Sequence, residues 1–236
     1  MKNKGPNKIG LIALIVANLI PLIGVIYLDW NIFMILLLYW IESIVVGIYN
    51  IPKILIAEGS MVYWTTELKK VKGKTVVKKN IKVYDPSPSK RDKRFYAGFF
   101  VIHFMGFMAM LGVGIFGYFR GSIDNISSIF IAVAALFGSH GISFLLNYIG
   151  AGEYKNRDPY LQMFAPYKRL LVMLAVIAVT GLILKSRVES EDILIWGLIL
   201  LVSLKIIADI FSHYWEHWVW TKRPDTKNLK KRGRII

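Results

Sequence analysis

The stretch that decides the fold is residues 32–57, which read IFMILLLYWIESIVVGIYNIPKILIA. It is apolar over a length that can cross a lipid bilayer, since about 20 consecutive apolar residues suffice for one helical span. Glu42 lies near its middle, and Asn50 lies about two helical turns further along. An ionisable side chain in the hydrocarbon region is expensive and usually marks a functional site. The stretch therefore predicts a membrane-spanning helix that carries part of such a site.

The composition of the whole chain agrees with a membrane protein. Hydrophobic residues make up 55% of the 236 residues, which is more than an ordinary soluble domain contains. The chain has no cysteine. Disulfides and thiolate ligands are therefore excluded, and a metal would have to be held by His, Asp, Glu, Asn or backbone oxygen.

Six apolar segments of span length follow one another along the chain. They cover about residues 9–28, 32–57, 95–119, 126–149, 170–184 and 193–220. We predict an all-α, polytopic integral membrane protein with six transmembrane helices, forming a single membrane domain over residues 1–236. The loop 58–94 is strongly basic and contains a weak hairpin signal around Lys72-Gly73, and the tail 221–236 is basic as well.

The distribution of positive charge predicts the topology. Of the 30 lysines and arginines, all but five lie in the N-terminal tail, the 58–94 loop, the 150–169 loop or the C-terminal tail; the five are Lys53, Arg120, Lys185, Arg187 and Lys205. Positive loops favour the cytoplasmic side, so we expect both termini there, in a multi-pass protein of the cell membrane. The net charge of +15 is then explained by the basic segments on the cytoplasmic side. We expect the loop and tail to contact anionic lipid headgroups and not nucleic acid, since no stacking aromatics accompany the lysines.

The last predicted span carries an unusual polar stripe, Lys205-Ile-Ile-Ala-Asp-Ile-Phe-Ser-His-Tyr-Trp-Glu-His217. Helical steps of about 100° place its five ionisable residues within an arc of roughly 120°. They are Lys205, Asp209, His213, Glu216 and His217. The segment ends in H-x-x-E-H, a spacing in which two histidines one turn apart can bind the same metal.

All four histidines of the chain fall inside predicted spans; three lie at comparable depth from the predicted cytoplasmic side, and His217 lies lower, near the interface. The four are His103, His140, His213 and His217. Zinc or another divalent metal could be bound by His213, His217 and one of His103 or His140, with Asp209 as a further ligand or orienting group. Glu216 or Glu42 would be the general base in a metal-dependent intramembrane hydrolase, which is the leading hypothesis.

Three other interpretations of the same residues stay open. Histidines on opposite helices could ligate a haem. Glu42, Lys205 and Asp209 could form a relay in a proton-coupled transporter or carrier, with Asn50 close by. The polar groups could also serve only to hold the helices together in a structural membrane protein.

The chain also resembles a family of polytopic membrane proteins called domain of unknown function 6498. The resemblance covers most of the chain outside the 58–94 loop and rests on Leu38-Tyr39-Trp40-Ile41-Glu42, Gly47, Asn50, Lys53, Gly138-Ser-His140-Gly-Ile-Ser-Phe, Glu153-Tyr154, Pro166-Tyr-Lys-Arg169, Asp209, His213 and Glu216-His217. Met173 departs from the pattern, in which a histidine is expected at this position. The resemblance implies a membrane fold and a site location, but no activity.

A second resemblance is to the membrane-embedded proteases that process prenylated proteins and bacteriocins. Phe99-x-x-x-His103 and His213-x-x-x-His217 are similar to their Phe-x-x-x-His and His-x-x-x-Asn patterns. Their paired glutamates followed by arginine are missing, and Glu42 alone is available.

Overall fold

The computed structural model describes residues 8–60, 62–71, 74–83, 88–119, 123, 126–185, 199–200, 202–207 and 210. The elements are α1 Lys8–Tyr27, α2 Ile32–Ile56, β1 Val62–Val71, β2 Lys74–Val83, α3 Lys90–Tyr118, α4 Ile126–Ser143, α5 Pro159–Met163 and α6 Tyr167–Lys185. Helix α4 continues as a π-helical stretch, Phe144–Gly150, and a single 3-10 turn covers Glu153–Lys155. Residues 202–207 are helical too.

Four described helical stretches are long and apolar enough to cross a membrane: Ile32–Ile56, Lys90–Tyr118, Ile126–Gly150 and Pro159–Val179. Large apolar side chains cover their outer faces, with Ile102 79% exposed and Val113 75% exposed. Such faces are stable against lipid but not against water, so the chain is a membrane protein. The six predicted passes exceed the four found here, because most of 193–220 and many side chains of α1 lie outside the described residues.

Helix α2 is the central element, and it packs against α3, α4, α5 and α6. Two glycines allow α3 to approach it closely. A Cβ on Gly47 would lie 2.5 Å from the Phe104 ring, and one on Gly112 would lie 2.9 Å from the Trp40 ring. Small residues at such positions are a common way to bring membrane helices together. The Trp40 indole also donates a hydrogen bond to the Met108 carbonyl, at 2.7 Å.

Helices α2 and α4 run in the same direction, because their starts contact each other and so do the loops that follow them. At one end, the short turn between α1 and α2 contacts the start of α4, where the Trp30 indole donates to the Ser128 hydroxyl at 3.1 Å. At the other end, the Gly59 amide donates to the Arg157 carbonyl at 2.8 Å, which joins the loop after α2 to the loop after α4. The Glu58 amide makes the same kind of bond to the Tyr154 carbonyl, also at 2.8 Å. Glu42 therefore lies between two contacts that join α2 to α4, one at the start and one at the end of the two helices.

The basic loop contains a two-stranded antiparallel sheet. Strand β1 pairs with β2 in a register that matches Val62 with Val83 and Val71 with Lys74. The two paired strands flank residues 72–73, so the predicted hairpin around Lys72-Gly73 is confirmed. The apolar segments are helical, as the predicted all-α class requires. The two strands of the hairpin are the only described β-structure, and they lie in the basic loop. Valine and threonine are frequent in these strands, and both fit a strand better than a helix.

Candidate functional site

The most unusual group in the described structure is the carboxylate of Glu42. Glu42 is only 5% exposed and lies ten residues into α2, about 15 Å from its start at about 1.5 Å per residue. Three basic side chains surround it. The Lys205 ammonium donates a hydrogen bond to Oε2, the Arg169 Nη1 atom is 3.5 Å from Oε1, and the His140 Nε2 atom is 4.0 Å from Oε1. We call these four residues the Glu42 cluster.

Each member of the Glu42 cluster comes from a different segment. Glu42 is on α2, His140 on α4, Arg169 in the first turn of α6, and Lys205 in the helical residues 202–207. The Lys205 ammonium also lies 4.6 Å from the centre of the Tyr39 ring, a cation–π distance. The cluster therefore exists only when these four segments are packed together, and any shift of one segment changes its charge contacts.

The Glu42 cluster has more positive than negative charge. Among these four described residues, Arg169 and Lys205 each contribute one positive charge and Glu42 one negative charge, so their sum is +1 while His140 is neutral. Asp209, four positions after Lys205, lies outside the described residues. Charge inside a low-dielectric region is expensive unless it is compensated. The Nη1 atom of Arg169 is buried and has no hydrogen-bond acceptor in the described part of the chain, although Glu42 is near enough to form an ion pair.

A small cavity adjoins the Glu42 cluster. It is lined by Tyr39, Glu42, Ser43, Val46, Arg169, Val172, Met173, Val176 and Lys205. Its volume open to water is about 20 Å³, which is room for a water molecule or an ion of similar size. Sites for organic ligands are usually at least ten times larger. In this conformation the site therefore admits a small ion and excludes a drug-sized substrate.

Met173, the position at which the sequence resemblance led us to expect a histidine, lines this cavity. Its sulfur accepts a hydrogen bond from the Ser43 hydroxyl, at 3.4 Å. Ser43 directly follows Glu42 on α2, so position 173 is next to the cluster. A histidine here would add a titratable group beside Glu42, whereas methionine keeps this wall apolar apart from the sulfur.

Most of the predicted metal ligands lie outside the described residues, and the described residues alone contain no metal site. No group of three or more His, Asp or Glu side chains in that part of the chain could hold a metal ion. Asp209, His213, Glu216 and His217 lie outside the described residues, so their proposed roles stay predictions, as do the zinc and haem hypotheses.

His103 lies apart from the Glu42 cluster, although the sequence placed it at the same depth as His140. Its ring is exposed and stacks on Phe99, with ring centres 5.4 Å apart. Its Nδ1 atom is 2.5 Å from the Tyr167 hydroxyl. A similar predicted depth does not bring two side chains to one site, because the direction of a side chain depends on the rotation of its helix.

Asn50 forms a buried pair with Gln162 instead of joining the cluster. The Asn50 amide donates to the Gln162 carbonyl at 3.2 Å, and the Gln162 amide donates to Asn50 Oδ1 at 2.8 Å. Both residues are at most 3% exposed. Two hydrogen bonds between buried amides fix α5 against α2, so we interpret Asn50 as a structural residue.

Sequence reasoning missed Arg169 and Gln162. Arg169 was assigned to the basic 150–169 loop, but α6 already begins at Tyr167. A usable signal was Pro166, because proline is frequent at the start of a helix and would have moved the predicted boundary in front of Arg169. Gln162 carried no comparable signal, since its helix α5 is only five residues long and lies in the segment that was predicted to be a basic loop.

The fold and the Glu42 cluster define a class of protein: a polytopic helical membrane protein with a buried, charged site between its helices. The chain belongs to the family of unknown function (DUF6498), whose family model matches residues 1–226. The resemblance found in the sequence is thereby confirmed. No curated protein and no solved structure matches the chain.

Proposed function

We propose that the protein is a proton-coupled membrane carrier in which Glu42 binds the proton. The observation that carries the proposal is the contact of one intramembrane carboxylate with Lys205 and Arg169, which lie on two other segments. Ionisable groups at this depth are usually parts of ion paths or proton relays. A cavity of ionic size next to them gives the coupled species a place to bind.

Protonation of Glu42 changes the forces between the segments. The ionised carboxylate attracts Lys205 and Arg169 and so holds α2, α6 and residues 202–207 together. The protonated acid keeps a hydrogen bond but loses the ionic attraction, which is strong at low dielectric. The two states therefore favour different helix arrangements, as an alternating-access carrier requires.

The proposal includes the topology predicted from the charges. Six spans with both termini in the cytoplasm place the hairpin and the basic tail at the inner leaflet of the cell membrane, where anionic headgroups are available. The pairing of the loop after α2 with the loop after α4 supports an inner layer made of these basic segments.

The geometry favours a carrier over a metal-dependent hydrolase. Both oxygens of Glu42 already face cations, with Lys205 at Oε2 and Arg169 near Oε1. These cations would repel a divalent metal, and a general base needs a free oxygen toward water. A zinc site would have to be assembled from Asp209, His213 and His217 without Glu42, and zinc content after purification without chelator tests that prediction.

Proton movement in proteoliposomes tests the proposed function. Gradients of sodium, potassium, chloride, nitrate, acetate and phosphate are imposed in turn, and internal pH is followed with an entrapped dye. We expect at least one gradient to move protons through the wild-type protein and Glu42→Gln to abolish this movement, because an amide cannot take up the proton.

Glu58→Gln is the matched control, because Glu58 is an exposed glutamate in the loop directly after the same helix and its removal leaves the Glu42 cluster intact. Each variant is first shown to be monodisperse in detergent. If no gradient moves protons, or if Glu42→Gln moves them as fast as the wild type, the carrier proposal is wrong.

A further inference from the structure

The hairpin of the basic loop has two faces, and the register of its strands assigns each residue to one of them. Residues that pair directly across an antiparallel ladder lie on the same face of the sheet. Successive residues of a strand alternate between the two faces. The pairing of β1 with β2 therefore gives each face five cross-strand pairs. The two faces differ sharply in composition.

One face is mainly apolar. Three of its five cross-strand pairs join two apolar residues: Val62 with Val83, Trp64 with Ile81, and Leu68 with Val77. The other two pairs each join a threonine to a lysine. We call the six apolar positions the apolar face of the hairpin. Aromatic and β-branched residues in such pairs favour a sheet, so this face also helps to explain why the segment forms strands.

The opposite face is basic. Half of its ten positions are charged: Glu67, Lys69, Lys74, Lys78 and Lys82. Glu67 is paired directly with Lys78, a cross-strand pair of opposite charge. We call these five positions the basic face of the hairpin. The hairpin is therefore amphipathic, with a period of two residues along each strand.

The apolar face needs a covering surface, and the membrane is within reach. A two-stranded sheet has no interior, and a hairpin alone is marginally stable in water. Residues 57–61 join β1 to the end of α2, and residues 84–89 join β2 to the start of α3. Both helices are long and apolar enough to cross a membrane. A linker of five residues spans at most about 18 Å, so the hairpin stays beside the lipid surface.

We propose that the hairpin lies in the membrane interface, with its apolar face in the lipid and its basic face among anionic headgroups. This arrangement is that of an interfacial amphipathic segment, in which buried apolar area and attraction to anionic lipid act together. It goes beyond contact of the loop with headgroups, because the two faces have different roles. It takes from the proposed function only the leaflet in which the hairpin lies, and it does not depend on proton transport.

The charge of the hairpin favours a lipid surface over a second copy of the chain. Residues 62–83 contain seven lysines and one glutamate as their only charged residues, which gives a net charge of +6. Two hairpins stacked through their apolar faces would lie about 10 Å apart and would repel each other. Anionic headgroups attract lysines close to the surface instead. Trp64 on the apolar face is also a residue type that is enriched at the interface between lipid and water.

Paired cysteine labels on neighbouring residues test the proposal in the full-length protein. The chain has no cysteine, so Leu68→Cys and Lys69→Cys each introduce a single labelling site, one on each face. Each variant is labelled with an environment-sensitive fluorophore and reconstituted in vesicles of phosphatidylcholine and phosphatidylglycerol. We expect nitroxide groups on the lipid acyl chains to quench the label at position 68 much more than at position 69. Iodide in the water should show the reverse order, and Val77→Cys with Lys78→Cys should repeat the pattern on β2.

A second pair of substitutions tests which residues hold the hairpin in the lipid. With the label at Val77→Cys, Trp64→Ser should reduce quenching by the lipid nitroxide, because the interfacial aromatic ring is lost. Thr65→Ser, on the other face, should leave the quenching unchanged. Vesicles of phosphatidylcholine alone should also give weaker quenching, since the lysines then lack anionic partners. Equal quenching in the two kinds of vesicle would contradict the role given to the basic face.

The remaining outcomes of the labelling experiment contradict the proposal. If lipid nitroxide quenches neither Leu68→Cys nor Lys69→Cys, the apolar face is not in the lipid. Protection of position 68 from iodide in that case would mean that protein covers this face. Equal quenching of both positions by the lipid would contradict the two-faced arrangement. Proton movement is not measured here, so failure of the carrier proposal leaves this result unchanged, and failure of the hairpin proposal leaves Glu42 as the proton-binding group.

Discussion

Replacing Glu42 with leucine is expected to lower the free energy of unfolding by about 3–5 kcal/mol, the range seen when one partner of a buried ion pair is removed. The substitution leaves the buried Lys205 and the half-buried Arg169 without their carboxylate, while the size of the side chain is nearly kept. The loss arises from uncompensated charge and not from a cavity. Unfolding with a denaturing detergent in mixed micelles provides the measurement.

The double variant Glu42→Leu/Lys205→Met isolates the electrostatic part of this effect. Removing both members of the pair also removes one buried cation, so the double variant should be more stable than Glu42→Leu alone. Glu58→Gln should change the stability by less than about 1 kcal/mol, as expected at an exposed position. If the loss of stability in the double variant equalled the sum of the losses in the two single variants, Glu42 and Lys205 would not form a coupled pair.

Replacing Gly59 with alanine is expected to destabilise the protein by about 1–3 kcal/mol, as overpacking of a tight contact does. A Cβ at this position would lie 2.5 Å from the Asn156 carbonyl carbon and 2.7 Å from that of Arg157. Both are backbone atoms, which cannot rotate away. The alanine would have to separate the two loops and so break the bond from the Gly59 amide to the Arg157 carbonyl.

Gly98→Ala is the control for this prediction. A Cβ on Gly98 in α3 would meet nothing within 4 Å, so alanine should be neutral or slightly stabilising because it favours the helix. Thermal unfolding of both variants in the same detergent makes the comparison. An unchanged melting temperature in Gly59→Ala would mean that the loops after α2 and α4 are not in close contact.

Composition and periodicity predicted most of the helical framework. The apolar runs beginning near Ile9, Ile32 and Ile126 became α1, α2 and α4, because uninterrupted apolar length is a strong signal. The hairpin could also be anticipated, since Lys72-Gly73 interrupts a segment rich in valine and threonine. Glu42 stood out because a carboxylate in such a run has few explanations other than function.

The partners of Glu42 were only partly predictable. Lys205 was grouped with Glu42 and Asp209 as a possible relay, and the structure places its ammonium on Glu42, across 163 positions of the chain. Asp209 lies outside the described residues, so its place in the relay stays a prediction. Such long-range pairing depends on helix rotation and packing, which periodicity along one segment does not encode. His103 illustrates the same limit. The sequence predicts it at the depth of His140, but its ring contacts Tyr167 and not Glu42.

The most direct test of the central claim is infrared titration of the Glu42 carboxyl group in the purified, lipid-reconstituted protein. A protonated carboxylic acid has a C=O stretching band that a carboxylate lacks. We predict a band that grows as the pH is lowered within the range where the protein stays folded, that is missing in Glu42→Gln and that is retained in Glu58→Gln. If no such band can be assigned to Glu42 at any pH in this range, the carboxylate is a permanent member of a structural ion cluster, and the account of Glu42 as the proton-binding group is contradicted.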